Sequence, residues 1–140
     1  MDIAHVVQSS VAPVFLLTGV AATLGVLTNR LARVVDRARA LEGQLEAQPT
    51  RRGALLADLR TLERRARYIN AAISMSAVAA LLVALVVVSL FADAFLGLDL
   101  AKAVALLFTG AMLCLAVAYM AFFVEVRIAV SALRIGIPEK

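Results

Sequence analysis

Six polar residues sit where long apolar stretches of this chain end: Asn29, Arg30, Arg67, Asn70, Glu125 and Arg127. Glu125 directly follows a run, 103–124, that carries no charge. An unpaired carboxylate beside such a run is costly, so an arginine, Arg30 or Arg67, is expected to pair with it. Three kinds of chemistry suit this set. It could be a polar lock tying the third apolar segment to the others. It could be an ion or proton route lined by Glu125 and the two asparagines, or a lipid headgroup site made by the arginines. Catalysis is not indicated. There is no metal-ligand spacing, no phosphate-binding glycine loop and no nucleophile beside a credible base. His5, the sole histidine, reads as a solvated terminal residue, and Cys114, the sole cysteine, as a small packing residue. The chain is therefore expected to be no enzyme, with no cofactor and no metal.

The element that must position these residues is the charged stretch between the first two apolar segments, about 29–70. Its first arm carries Leu27, Leu31, Val34, Ala38, Leu41 and Leu45, and its second Leu55, Leu59, Leu62, Ala66, Ile69 and Ile73. Spacings alternating between four and three make the seam of one helix packed along another. Gly43, Pro49, Thr50 and Gly53 lie between the arms, with Pro49 and Thr50 as the expected turn. The expectation is an antiparallel coiled-coil hairpin. Pairing Leu45 with Leu55 brings Leu31 near Ile69 and Asn29 near Asn70. Each arm should be laced by exposed pairs: Arg33 with Asp36, Asp36 with Arg39, Arg39 with Glu42, Arg60 with Glu63, and Glu63 with Arg67. Each contributes only a few tenths of a kcal/mol, so the seam does more. Arg37 and Arg65 fall on the same flank and repel. Arg33, Arg37, Arg64 and Arg65 then form either a solvated face or a surface for lipid phosphates, a neighbouring subunit or a soluble partner.

Composition sets the compartment. The chain has 140 residues, 63% of them hydrophobic, with mean hydropathy +0.93, which is too apolar for a soluble domain of this size. Stretches 11–28, 71–92 and 103–124 are candidate membrane spans. The reading is an all-α integral membrane protein with three transmembrane helices, helices 1 and 2 extending into a cytoplasmic hairpin, as a single membrane domain over 1–140. Residues 29–70 hold ten arginines against five acids, a net of +5 beside +4 for the whole chain. Basic residues clustered between spans mark the inner side. No aromatic interleaving or nucleic-acid motif accompanies them, so no nucleic acid is expected despite a pI near 10.0.

Met1 to Ser10 is a short polar start without the basic region of a cleaved signal peptide. Ser9 or Ser10 is expected to cap the first span, with Pro13 in its first turn. Ala72, Ser76, Ala80 and Ala84 on the second span, and Gly110, Cys114 and Ala118 on the third, are small-residue lines that permit close helix approach. Asp93 to Lys102 is a nearly neutral loop, which fits the outer side. Tyr119, Phe122 and Phe123 suit the inner interface. Residues from Glu125 form a basic tail in which Gly136 and Pro138 stop any helix. The N-terminus is then outside, and the hairpin and C-terminus inside.

Three separated motifs carry a family resemblance: Asn29-Arg30-Leu31-Ala32-Arg33-Val34-Val35-Asp36-Arg37, Arg64-Arg65-Ala66-Arg67-Tyr68-Ile69-Asn70, and Glu125-Val126-Arg127. Together they resemble a group of small bacterial membrane proteins known as domain-of-unknown-function family twenty-seven twenty-one. The resemblance covers the chain from the first span to Arg134. It implies a multi-pass protein of the bacterial cytoplasmic (inner) membrane and carries no activity with it. Two functions follow as expectations. The first is a structural or interaction protein that presents a basic hairpin to membrane lipids, including anionic headgroups, or to a cytoplasmic protein partner. The alternative is a homo-oligomeric ion channel or transport pore. The polar residues at mid-span are Thr18, Thr23, Ser74, Ser76, Ser89 and Thr109.

Overall fold

The computed structural model describes residues 2–134, with the side chain of Arg134 outside the description. Gly136 and Pro138 therefore lie beyond the described residues. The chain forms α1 (Ile3–Ala47), a 3-10 turn (Pro49–Arg51), α2 (Arg52–Leu96) and α3 (Ala101–Arg134). All three helices are long and apolar enough to cross a membrane, so the chain is a multi-pass membrane protein by length and composition.

Burial along each helix follows a seven-residue repeat. On α1 the buried positions include Val6, Pro13, Val20, Leu27, Val34 and Leu41, with Ser10 buried outside the repeat. On α2 they include Leu55, Leu62, Ile69, Ser76 and Val83, with Ala72, Ala79 and Val86 in a second row. On α3 they include Ala111, Ala118 and Glu125. A strict seven-residue repeat keeps one stripe of a helix turned toward its neighbours. Glu125 is thus a polar residue at a position that the repeat turns inward.

Two compact units divide the chain. The first combines Met1–Gly25 with Ser74–Ala118. Its core is Val20, Ala79 and Leu115, with Leu16, Leu24, Ala80, Met112 and Cys114 against it. Gly110 lies on its α3 segment, where an added Cβ would meet Leu82 at 3.5 Å. Thr18, Thr23 and Thr109 donate their hydroxyls to carbonyls of their own helices, at Val14, Gly19 and Ala105. In apolar surroundings this satisfies a hydroxyl without a partner helix. Ser76 differs: its Oγ is buried without a hydrogen-bond partner.

The second unit is Val26–Ile73 with Tyr119–Lys140. All the seam residues expected on the two arms enter one core there. Leu27, Val34, Leu41, Leu55, Leu62, Ile69 and Ala72 are buried, and Leu31, Ala38, Leu45, Leu59, Ala66 and Ile73 pack against them. Ala121 and Phe122 of α3 join the same core.

Several boundaries differ from the sequence expectation. Helix α1 starts at Ile3 instead of near Val11, and Pro13 lies inside it. Ser9 and Ser10 do not cap; their hydroxyls donate to the carbonyls of His5 and Val7. Pro13 removes one backbone donor, but Val6 and Val20, buried on the same repeat, hold the helix across it. Gly43 and Gly53 are helical, and between them the chain breaks at Gln48 and Pro49–Arg51. Asp93 is helical because α2 continues to Leu96. Gly97 then takes φ +62, a left-handed conformation that terminates a helix cheaply only for glycine. Glu125 begins no tail, since α3 continues to Arg134.

Candidate functional site: a buried carboxylate between two arginines

The site lies in the second unit and draws one residue from each helix. Glu125 on α3 is 0% exposed. Its Oε2 accepts hydrogen bonds from Nε of Arg30 at 3.0 Å and from Nη2 of the same residue at 2.7 Å. Its Oε1 accepts from Nε of Arg65 at 3.0 Å. Both oxygens are therefore occupied by charged donors, which is what a carboxylate buried at 0% requires. The arginines keep partial contact with solvent, their side chains 32% and 22% exposed. Each thus buries its inner donors while part of its charge stays hydrated.

The α3 helix supplies a second contact. Phe122 lies three residues before Glu125, so the two share a helix face. The Arg30 guanidinium stands 5.3 Å from the centroid of the Phe122 ring. That is cation–π range. Arg30 is held by ring and carboxylate together, which sets the rotation of α3 against the first arm. Arg65 sets it against the second. A carboxylate held this way joins three helices at one point.

Of the two partners expected for Glu125, Arg30 reaches it and Arg67 does not. Arg67 is exposed and donates a hydrogen bond from Nη2 to Oε1 of Glu63 at 3.2 Å on its own helix. Arg65, two residues earlier, occupies the place instead. Arg65 lies three residues after buried Leu62 and next to partly buried Ala66, so it flanks the seam on the side where Glu125 enters. The expected clash of Arg37 with Arg65 contained the signal: two like charges on one flank call for an acid. Asn29 and Asn70 are exposed and do not join the cluster. Arg127 is exposed as well, its guanidinium 5.9 Å from the Phe123 ring centroid. The polar cluster thus contracts to Arg30, Arg65 and Glu125, with Phe122 added.

Arg33, Arg37 and Arg64 are exposed. Arg64 lines a surface groove with Arg60, Glu63, Arg67, Tyr68 and Ala71. Arg37 lines a different groove, together with Arg65. Of the exposed pairs expected along the arms, the structure forms Glu63–Arg67. Among the described residues no group of three or more His, Cys, Asp or Glu side chains could hold a metal ion.

Comparison with curated proteins and with solved structures returns no match. The family comparison does return one, across residues 10–135, which take in both arms and the whole Arg30–Glu125–Arg65 cluster. On that match the chain belongs to the DUF2721 family, described as proteins of unknown function.

Proposed function

We propose that this protein is a non-enzymatic structural or interaction protein of the bacterial inner membrane. In this reading α1 and α2 leave the bilayer as an antiparallel coiled-coil hairpin that faces the cytoplasm and presents arginines to a partner or to the membrane surface. The N-terminus is outside and the C-terminus inside. The observation that supports it is the full burial of Glu125 between Arg30 and Arg65. That contact braces the third helix against both arms, which suits a part whose task is to hold a shape. The net positive charge of 29–70 supports the inward orientation. Thr18, Thr23 and Thr109 donate into their own helices, which favours a packed bundle over a polar-lined pore.

The test is one of topology. In a Cys114→Ser background, Thr50→Cys places one thiol at the turn. A membrane-impermeant maleimide should leave it unlabelled in intact spheroplasts and label it once the membrane is opened. Labelling in intact spheroplasts would overturn the cytoplasmic hairpin.

A further inference from the structure

Arg60, Arg64, Arg67 and Ala71 follow one another on α2 at spacings of four, three and four, so they share one face of the helix. With Glu63 and Tyr68 they line a groove of about 530 Å³ in the second unit. The volume is that of a small-molecule site. The three arginines and Ala71 are exposed and Tyr68 is half-buried, so the face is open. Three arginines stand against one glutamate, a net of +2. Glu63 meets Arg67 in an exposed pair at 3.2 Å, a contact weak enough for an incoming anion to displace.

The groove is ordered along the helix axis. Ala71 begins the charge-free run 71–92. At the rise of an α-helix, Tyr68 lies about 4.5 Å before it, Arg67 about 6 Å and Arg64 about 10 Å. The headgroup layer occupies about 5–8 Å beyond each face of the hydrocarbon core. Arg67 falls within that layer, and Arg64 reaches it through its long side chain. The apolar lining, Ala71 and Tyr68, therefore lies between the arginines and the membrane core. Tyrosine is a residue that this interface favours. Contacts with the other helices give the same depth. Arg65, next to Arg64, reaches Glu125, the first residue past the charge-free run of α3. Glu125 also takes Arg30, the first charged residue past 11–28. The level of Arg64 and Arg65 on α2 thus stands within an arginine's reach of the ends of both other runs.

We infer that the Arg64–Arg67 groove binds the phosphodiester of an acidic phospholipid from the surrounding bilayer, with Tyr68 and Ala71 against its glycerol and first acyl carbons. A zwitterionic headgroup brings its own cation toward the arginines, so the acidic lipid is preferred. A soluble anion leaves the apolar end of the groove unused. The inference rests on the membrane-surface part of the proposed function. It does not depend on the buried carboxylate, because neither Arg64 nor Arg67 is among the donors that hold Glu125.

The experiment is lipid binding to the full chain in detergent, read by native mass spectrometry with phosphatidylglycerol and phosphatidylcholine as probes. Phosphatidylglycerol should bind the wild type in preference. Arg64→Gln should weaken that binding about fivefold, the contribution of one arginine at an acidic lipid surface. Arg33 is exposed on α1, four residues past Asn29 as Arg67 is four before Ala71. Arg33→Gln should leave the binding within about twofold, the effect of a charge acting from a distance. Equal losses in the two variants would replace the site with diffuse surface attraction. No loss in Arg64→Gln would overturn it outright. Glycerol phosphate alone competing as well as the lipid would overturn the lipid identity and leave a soluble phosphate as the ligand. Failure of the topology test with the Arg64 effect intact would sink the cytoplasmic reading and spare the site.

Discussion

Arg30 and Glu125 meet across 95 positions of sequence, with two Arg30 nitrogens on one carboxylate oxygen at 3.0 and 2.7 Å. The other oxygen takes Arg65. Three helices thus converge on one side chain that sits where α3 would otherwise carry a small apolar residue, seven positions after Ala118 and fourteen after Ala111. A buried ion pair is weak evidence for net stability, since well-packed apolar residues often do as well. Its value here is in specifying one rotation of α3 against the arms. Its weakness is that removing any member strands the rest.

Arg65 and Arg67 separate the buried contact from the exposed one. Arg65→Gln removes a charged donor to a fully buried carboxylate and should cost about 2–3 kcal/mol. Arg67→Gln breaks an exposed i,i+4 pair and should cost under about 0.5 kcal/mol. Thermal unfolding of both variants in the same detergent checks the contrast. Equal small shifts would mean that Arg65 contributes no more than the surface pair.

The Phe122 ring is expected to matter beyond its volume. Phe122→Leu keeps an apolar side chain against the core and loses the face that Arg30 covers. It should lower stability by about 0.5–2 kcal/mol. In the background of Arg30→Gln the same substitution should cost measurably less. Equal costs in the two backgrounds would make the ring a packing residue alone.

At the end of α2, Gly97 holds φ +62. Gly97→Ala must force a Cβ into the left-handed region, at a cost of about 1–2 kcal/mol. Nothing lies within 4 Å of the new methyl, so the penalty is conformational. A lowered melting temperature with unchanged helix content by circular dichroism is the expected result.

The seam predicts its own ranking. Ile69 is 0% exposed at the centre of the second core, and Ile69→Ala should cost about 2–5 kcal/mol. Leu56, on the outer side of the same helix and exposed, should tolerate alanine within about 0.5 kcal/mol. Melting temperatures of the two variants decide it.

The arms could be read from sequence because their signal is local. Leucines and alanines at three–four spacing name the buried face of a helix wherever its partner stands, and every seam residue entered the core. Ser9, Ser10 and Pro13 misled as a helix start, because α1 begins at Ile3 and carries Pro13 inside, with Val6 and Val20 buried on either side. The partner of Glu125 was half legible. Depth admits Arg30 and Arg67 alike, since both stand beside a charge-free run as Glu125 does, and the structure keeps Arg30. Choosing Arg65 over Arg67 needs the angle at which α3 meets the second arm, and no pattern within α2 contains that angle. Asn29, Asn70 and Arg127 share the depth of the site but face outward, which depth cannot reveal.

The central claim is that Glu125 braces α3 against both arms through Arg30 and Arg65. A double-mutant cycle with Arg30→Gln and Glu125→Gln, read as thermal stability in nanodiscs, tests it most directly. Each single variant should destabilise, Glu125→Gln by about 2–3 kcal/mol because it removes the charge that two arginines share. The double variant should recover at least about 1 kcal/mol of the summed loss, as expected for residues in direct contact. Additive losses, or a Glu125→Gln protein as stable as wild type, would contradict the brace.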